Sequence, residues 1–234
     1  MIVAAGCSFT SSDFKSYEYP DYDVSFKKWP EIIADKFNTT LVNFAKCGYG
    51  NDYILDKTIP FILENYQDID LVVIGWTEAS RFNIYHQHFI NPIWFLDGED
   101  GDWYSLAYEF LNTPYSVAQS IWSKTDIDKL VDKLYEEYNT LIRLCQVLNI
   151  KHVFGQMLKP LEPTNIKYGR HNYRTRKVDD RNFLEHPTLG LSIYEYMIKD
   201  KDKYTVGPLD PHPNEEGHIM IADKYLEKYE ELYD

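Results

Sequence analysis

Four short apolar runs, spaced along the chain and bounded by turn residues, limit its possible folds more than any other feature. Ile2 to Ala5 ends on the turn Gly6-Cys7-Ser8. Thr40 to Ala45 leads into the glycine turn Cys47-Gly48-Tyr49-Gly50. Asp70 to Gly75 has a wholly apolar middle, and Lys151 to Met157 is the fourth run. Continuous apolar runs of this length predict strands buried on both faces. Helical segments separate them. Trp29-Pro30 opens a helix through Phe37, because proline is tolerated at the first helical position. A second helix comes after the Gly48 turn, with Asn51 or Asp52 able to cap it and Pro60 expected to kink or split it. Over residues 126–148, Ile127, Leu130, Val131, Leu134, Tyr138, Leu141, Ile142 and Cys145 recur at helical spacing. Asn214 to Tyr233 closes the chain as an amphipathic helix behind Pro213.

Strands alternating with helices imply an α/β fold, a three-layer α/β/α sandwich around a mainly parallel, flavodoxin-like sheet. The 234 residues fit one domain spanning 1–234, with irregular insertions at about 80–124 and 158–207. In such open sheets the site lies beyond the carboxyl ends of the strands. Gly6-Cys7-Ser8, Gly48, Gly75-Trp76-Thr77 and the loop with Asp210 and His212 all fall at that edge.

Composition narrows the partners. A net charge of −13 gives no general attraction for nucleic acid or anionic membranes. No apolar run is long enough to span a bilayer. The start, MIVAAGCSFT, lacks a basic leader and reads as a buried strand. Cys7, Cys47 and Cys145 are too few and too scattered for a disulfide framework, so a reducing, cytoplasmic setting is expected.

Two motifs carry nucleophilic chemistry. A serine on the turn after the first strand stands exposed above the sheet edge, and its own N–H can face a bound oxyanion. In Asp210-Pro211-His212-Pro213-Asn214 the two prolines restrict the backbone of the histidine. His212 can take the Ser8 proton and return it to a leaving group, while Asp210 holds the imidazole tautomer. Each motif alone is weak, since Gly-x-Ser turns and loop histidines are common. Cys7 and Cys47 read as inert thiols rather than nucleophiles. His86 and His88 share a strand face but lack the further ligands a metal site needs, so no metal or other cofactor is expected.

Taken together, in order along the chain, these motifs resemble those of the SGNH (GDSL-like) serine hydrolases. Gly6 to Thr10 is similar to the family's first block, with Cys7 where aspartate is usual. Asn43 to Gly48 matches the second block, which ends on the oxyanion-hole glycine. Val72 to Glu78 aligns with the third, and His212 to His218 with the fifth, where His218 reads as structural. The resemblance implies a Ser-His-Asp esterase acting on acyl or acetyl groups of lipids or sugars. Ser8, His212 and Asp210 would be its catalytic residues, and Ser8, Gly48 and Thr77 its oxyanion donors. Two departures stand out. Thr77 replaces the family's asparagine, with Asn51 as a rival donor. The family's aspartate position, three before the histidine, holds Leu209, and Asp210 is only two before it.

Three functions stay open on these residues: ester hydrolysis, acyl transfer with water excluded, and a weak or inactive domain that binds a glycan or a protein. A basic, aromatic segment containing Arg170, Tyr173 and Arg174 reads either as a substrate lid or as a loop tied down by Asp179 and Asp180.

Overall fold

The computed structural model describes residues 1–79, 81–85, 103–106, 127–158, 180–185 and 191–234. In chain order they form β1 (Ile2–Gly6), α1 (Trp29–Phe37), β2 (Leu41–Asn43), α2 (Asn51–Asn65), β3 (Leu71–Trp76), β4 (Phe82–Tyr85), β5 (Trp103–Leu106), α3 (Ile127–Val147), β6 (Lys151–Gln156), α4 (Ile193–Met197), α5 (Lys201–Tyr204) and α6 (Glu215–Tyr233). Strands β2-β1-β3-β6 make a four-stranded sheet in that order, and every pair in it is parallel.

The period-two alternation of each strand feeds two cores. Val3, Ala5, Val72, Ile74 and Phe154 face α2 and α3, packing with Ile54, Ile62, Leu134, Tyr138 and Leu141. Ile2, Ala4, Leu71, Val73 and Val153 face the opposite layer, against Trp29 and Ile33 of α1, Ile193 and Met197 of α4, and Ile221 and Tyr225 of α6. This is the α/β/α sandwich that the alternation of elements implies.

Gly6, Gly75 and Gly155 stand in register across β1, β3 and β6. A Cβ on Gly6 would lie 2.3 Å from Thr10 Oγ1, and one on Gly155 2.5 Å from the Tyr225 hydroxyl. The bare backbone thus lets the turn after β1 and helix α6 settle onto the sheet. Tyr225 fixes the helix there by donating to the Ile74 carbonyl at 2.7 Å.

Several elements differ from the sequence expectation. Strand β2 is short, yet its pairing continues past Asn43, since Phe44 N–H and Lys46 N–H donate to the carbonyls of Ala4 and Gly6. The N-cap of α2 is Gly50, and Asn51 is the first helical residue, its side chain turned to another task. Pro60 does not split α2, which runs unbroken to Asn65. Both Pro60 and Asp56 are exposed, so the carbonyl that proline leaves unpaired is on the solvated side. The stretch 80–124 contains the antiparallel pair β4 and β5. The stretch 158–207 contains α4 and α5, and α4 is started by a capping box in which Ser192 N–H donates to Glu195 Oε2 and Glu195 N–H to Ser192 Oγ. Among the described residues no helix is long and apolar enough to cross a membrane.

Candidate active site

The turn after β1 is built on one carbonyl. Cys7 C=O accepts from the N–H groups of Thr10 and Ser11, at 2.9 and 3.1 Å. The Trp29 indole N–H then holds Phe9 C=O at 3.1 Å. The middle residue of the motif, Cys7, points into the core and is fully buried. Burial pushes its thiol up; burial also raises the Cys47 thiol, to about 11. Ser8 is left half-buried at the sheet edge.

The opposing loop is pinned from the start of α6. Asn214 caps the helix, accepting from Gly217 N–H at 2.9 Å. Its amide donates to the carbonyls of Lys203 and Thr205, at 2.8 and 3.0 Å. His212 C=O accepts from Val206 N–H at 2.9 Å. His218, one turn into α6, accepts from Trp29 N–H through Nδ1 at 3.2 Å. Burial, with the nearby charges of Lys28 and His212, lowers it to about 3, so it is a neutral acceptor joining α6 to α1.

These two loops meet. Ser8 Oγ lies 2.8 Å from His212 Nε2, and His212 Nδ1 lies 2.6 Å from Asp210 Oδ1. The short spacing works because of the backbone between them. The same Oδ1 accepts the His212 backbone N–H at 3.0 Å, an Asx-turn with proline at its favoured centre. Leu209, three residues before His212, is 71% exposed. The Asp210 carboxyl is 4% exposed. Burial alone would raise it, but hydrogen bonds from His212 and Ser16 outweigh that and hold it at about 2, ionised. Two rings pack against the imidazole: Phe14 stacks on it at 4.4 Å and Phe9 tilts against it at 5.2 Å.

The third edge of the site comes from the loops after β2 and β3. Gly48 has φ of +81°, a left-handed conformation that glycine adopts without strain. Asn51 is buried and spans the two loops. Its Oδ1 accepts Thr77 N–H at 2.9 Å, and its amide donates to the carbonyls of Thr77 and Glu78 at 3.2 and 3.3 Å. Gln156 adds a second hold on the Thr77 carbonyl at 2.9 Å. Thr77 itself is fully buried, and its hydroxyl makes no well-formed hydrogen bond among the described residues, its one polar side-chain neighbour being the weak thiol of Cys7. Arg81 and Glu78 form a largely buried ion pair at 3.4 Å beside it.

Arg170, Tyr173, Arg174, His86 and His88 lie outside the described residues. Among those described, no group of three or more potential metal ligands forms. Phe14, Ser16 and Gln156 also hold the site, and no motif in the sequence marks them: the first two sit in an aperiodic loop, and Gln156 ends a strand.

By sequence, the chain matches no protein-family model and none of the curated proteins. By structure it is similar to the psychrotrophic esterase EstA from Pseudoalteromonas sp., in a form inhibited by monoethylphosphonate. The TM-score is 0.50 and the identity 12%, over 98% of this chain and 96% of that one. It is also similar to a lipolytic-type protein of the G-D-S-L family from Desulfitobacterium hafniense DCB-2, with a TM-score of 0.50 and 12% identity over 97% and 98% of the two chains. At this identity the likeness is one of architecture, and with the parallel sheet and its two helical layers it gives the chain an SGNH (GDSL-like) fold.

Proposed function

We propose that the chain is a serine hydrolase of carboxylic esters, cleaving an acyl or acetyl group from a small-molecule, lipid or carbohydrate carrier. The observation that carries this reading is the continuous hydrogen-bonded chain from Ser8 through His212 to Asp210. His212 Nε2 takes the Ser8 proton as Oγ attacks the ester carbon. The imidazolium that forms is stabilised by the ionised Asp210 at Nδ1 and then gives its proton to the leaving alcohol. A water repeats the sequence on the acyl-enzyme, which releases the acid and restores Ser8. The backbone N–H groups of Ser8 and Gly48 are the proposed oxyanion donors, with the Thr77 hydroxyl as the third. Asn51 is a weaker candidate than Thr77, because its amide already serves the carbonyls of Thr77 and Glu78. The esterase EstA and the G-D-S-L protein of the same fold support ester chemistry in general terms. The three cysteines are free thiols, which fits the reducing cytoplasm we propose as its setting.

The test is hydrolysis of p-nitrophenyl acetate by the wild type, Ser8→Ala and His212→Ala. Loss of turnover in both variants, with folding retained, supports the reading; equal turnover in all three refutes it. The buried Thr77 hydroxyl favours a second reading, a domain of low turnover that binds a glycan or a protein partner. In that case the wild type would show no esterase rate above Ser8→Ala.

A further inference from the structure

The carboxylate of Asp210 has two oxygens, and only one of them serves His212. Oδ1 accepts both the ring and the backbone of that residue. Oδ2 accepts from the hydroxyl of Ser16 at 2.5 Å, across 194 residues of chain. The direction of that bond is set by the groups present. The carboxylate is ionised and can only accept, so the Ser16 proton points to it. The remaining capacity of Ser16 Oγ accepts Tyr19 N–H at 3.0 Å, which fixes the hydroxyl rotor. Ser16 is buried at 6% exposure, and water is not a ready substitute there.

Tyr19 extends the arrangement. Its hydroxyl accepts Leu209 N–H at 3.3 Å, and its ring lies where a Cβ on Gly207 would be, 2.7 Å away. Gly207 and Asp210 exchange backbone hydrogen bonds at 3.1 and 3.2 Å. The segment after the nucleophile therefore grips the turn that carries Asp210.

We propose that Ser16 is a positioning residue for catalysis, acting on His212 only through the second oxygen of Asp210. This rests on the esterase reading above. Without the Ser16 hydroxyl, Oδ2 is a nearly buried anionic oxygen with no donor among the described residues. The carboxyl then either rotates toward solvent or takes a proton, and in both states the imidazolium loses its counter-charge at Nδ1. Ser16 touches neither substrate nor reacting atoms, so its loss should appear in turnover and not in binding.

The experiment is p-nitrophenyl acetate hydrolysis by the wild type, Ser16→Ala, Ser16→Thr, Asp210→Asn and the Ser16→Ala/Asp210→Asn double variant, with melting temperatures recorded alongside. Ser16→Ala should lower kcat about tenfold or more with KM little changed. Ser16→Thr, which keeps the hydroxyl, should recover most of that loss. In the Asp210→Asn background, Ser16→Ala should cost little further, because the two act as one unit. An active wild type with Ser16→Ala equal to it overturns the proposal alone, and so do fully additive losses in the double variant. A wild type with no esterase rate overturns the reading beneath it as well.

Discussion

Asp210 binds His212 twice through one oxygen, at the ring Nδ1 and at the backbone N–H two residues on. The carboxylate thus sets both the loop that carries the imidazole and the tautomer of the ring. Replacing it with asparagine should leave the loop nearly in place but remove the anion that stabilises the imidazolium. Asp210→Asn is expected to lower kcat by about a thousandfold or more, with KM little changed. Steady-state kinetics on a simple ester checks this, and unchanged turnover would remove Asp210 from the mechanism.

The same carboxyl predicts an acid-stability effect. It is held at about 2, below its ordinary 3.8: burial raises it, and hydrogen bonds from His212 and Ser16 more than reverse that. Its ionised form therefore stabilises the fold at pH values above the ordinary one, and the benefit fades as pH falls from about 4 towards 2. Urea unfolding at pH 7 should show the wild type more stable than Asp210→Asn. The gap should close at the acid end of that window.

Glu137 predicts a slope of the opposite sign. It is buried on α3 beside Lys133, at 3.4 Å. Burial pushes its carboxyl up from 4.5 to about 7; Lys133 opposes this, while Asp52 and Glu136 reinforce it. Between those values the folded chain keeps a proton that the unfolded chain has lost, so stability falls as pH rises from about 4.5 to 7. Glu137→Gln should flatten that slope and raise the melting temperature at pH 8 relative to the wild type. A melting curve at pH 5 and at pH 8 for each protein decides it.

Thr77 and Asn51 separate rate from stability. A buried hydroxyl with no better partner than a thiol costs free energy, up to about 1–3 kcal/mol when nothing meets it, so Thr77→Val should change the melting temperature little. If that hydroxyl meets the oxyanion, the same change should slow ester hydrolysis about tenfold or more. Asn51→Ala removes three hydrogen bonds between the α2 and β3 loops and should destabilise the chain as well as slow it. A silent Thr77→Val leaves the oxyanion to the backbone amides alone.

How much of this was legible in the sequence depended on the range of the forces involved. The buried strands and α1 come from local patterning, because each apolar run had one way to be buried. The meeting of the Ser8 turn with the His212 loop was legible too, since a parallel sheet gathers its carboxyl ends at one edge. The role of Asn51 was not. Capping is its local option, and a tertiary option, the β3 loop, took the side chain instead. Pro60 does not split α2, because its cost depends on which side of the helix meets solvent. Ser192-Ile193-Tyr194-Glu195 did carry a capping-box signal for α4, but it lay in a stretch dominated by charged and aromatic residues. Ser16 and Tyr19 act across nearly two hundred residues of chain, and no local pattern records such a bond.

The claim on which everything else rests is that Ser8 is an activated nucleophile. Reaction with a fluorophosphonate, followed by peptide mass spectrometry, measures this directly, because only a serine with its base in place reacts readily. A single phosphonylated site at Ser8 is predicted in the wild type, with labelling abolished in Ser8→Ala and strongly slowed in His212→Ala. A wild type that stays unlabelled, or a Ser8→Ala variant that labels equally well, would contradict it.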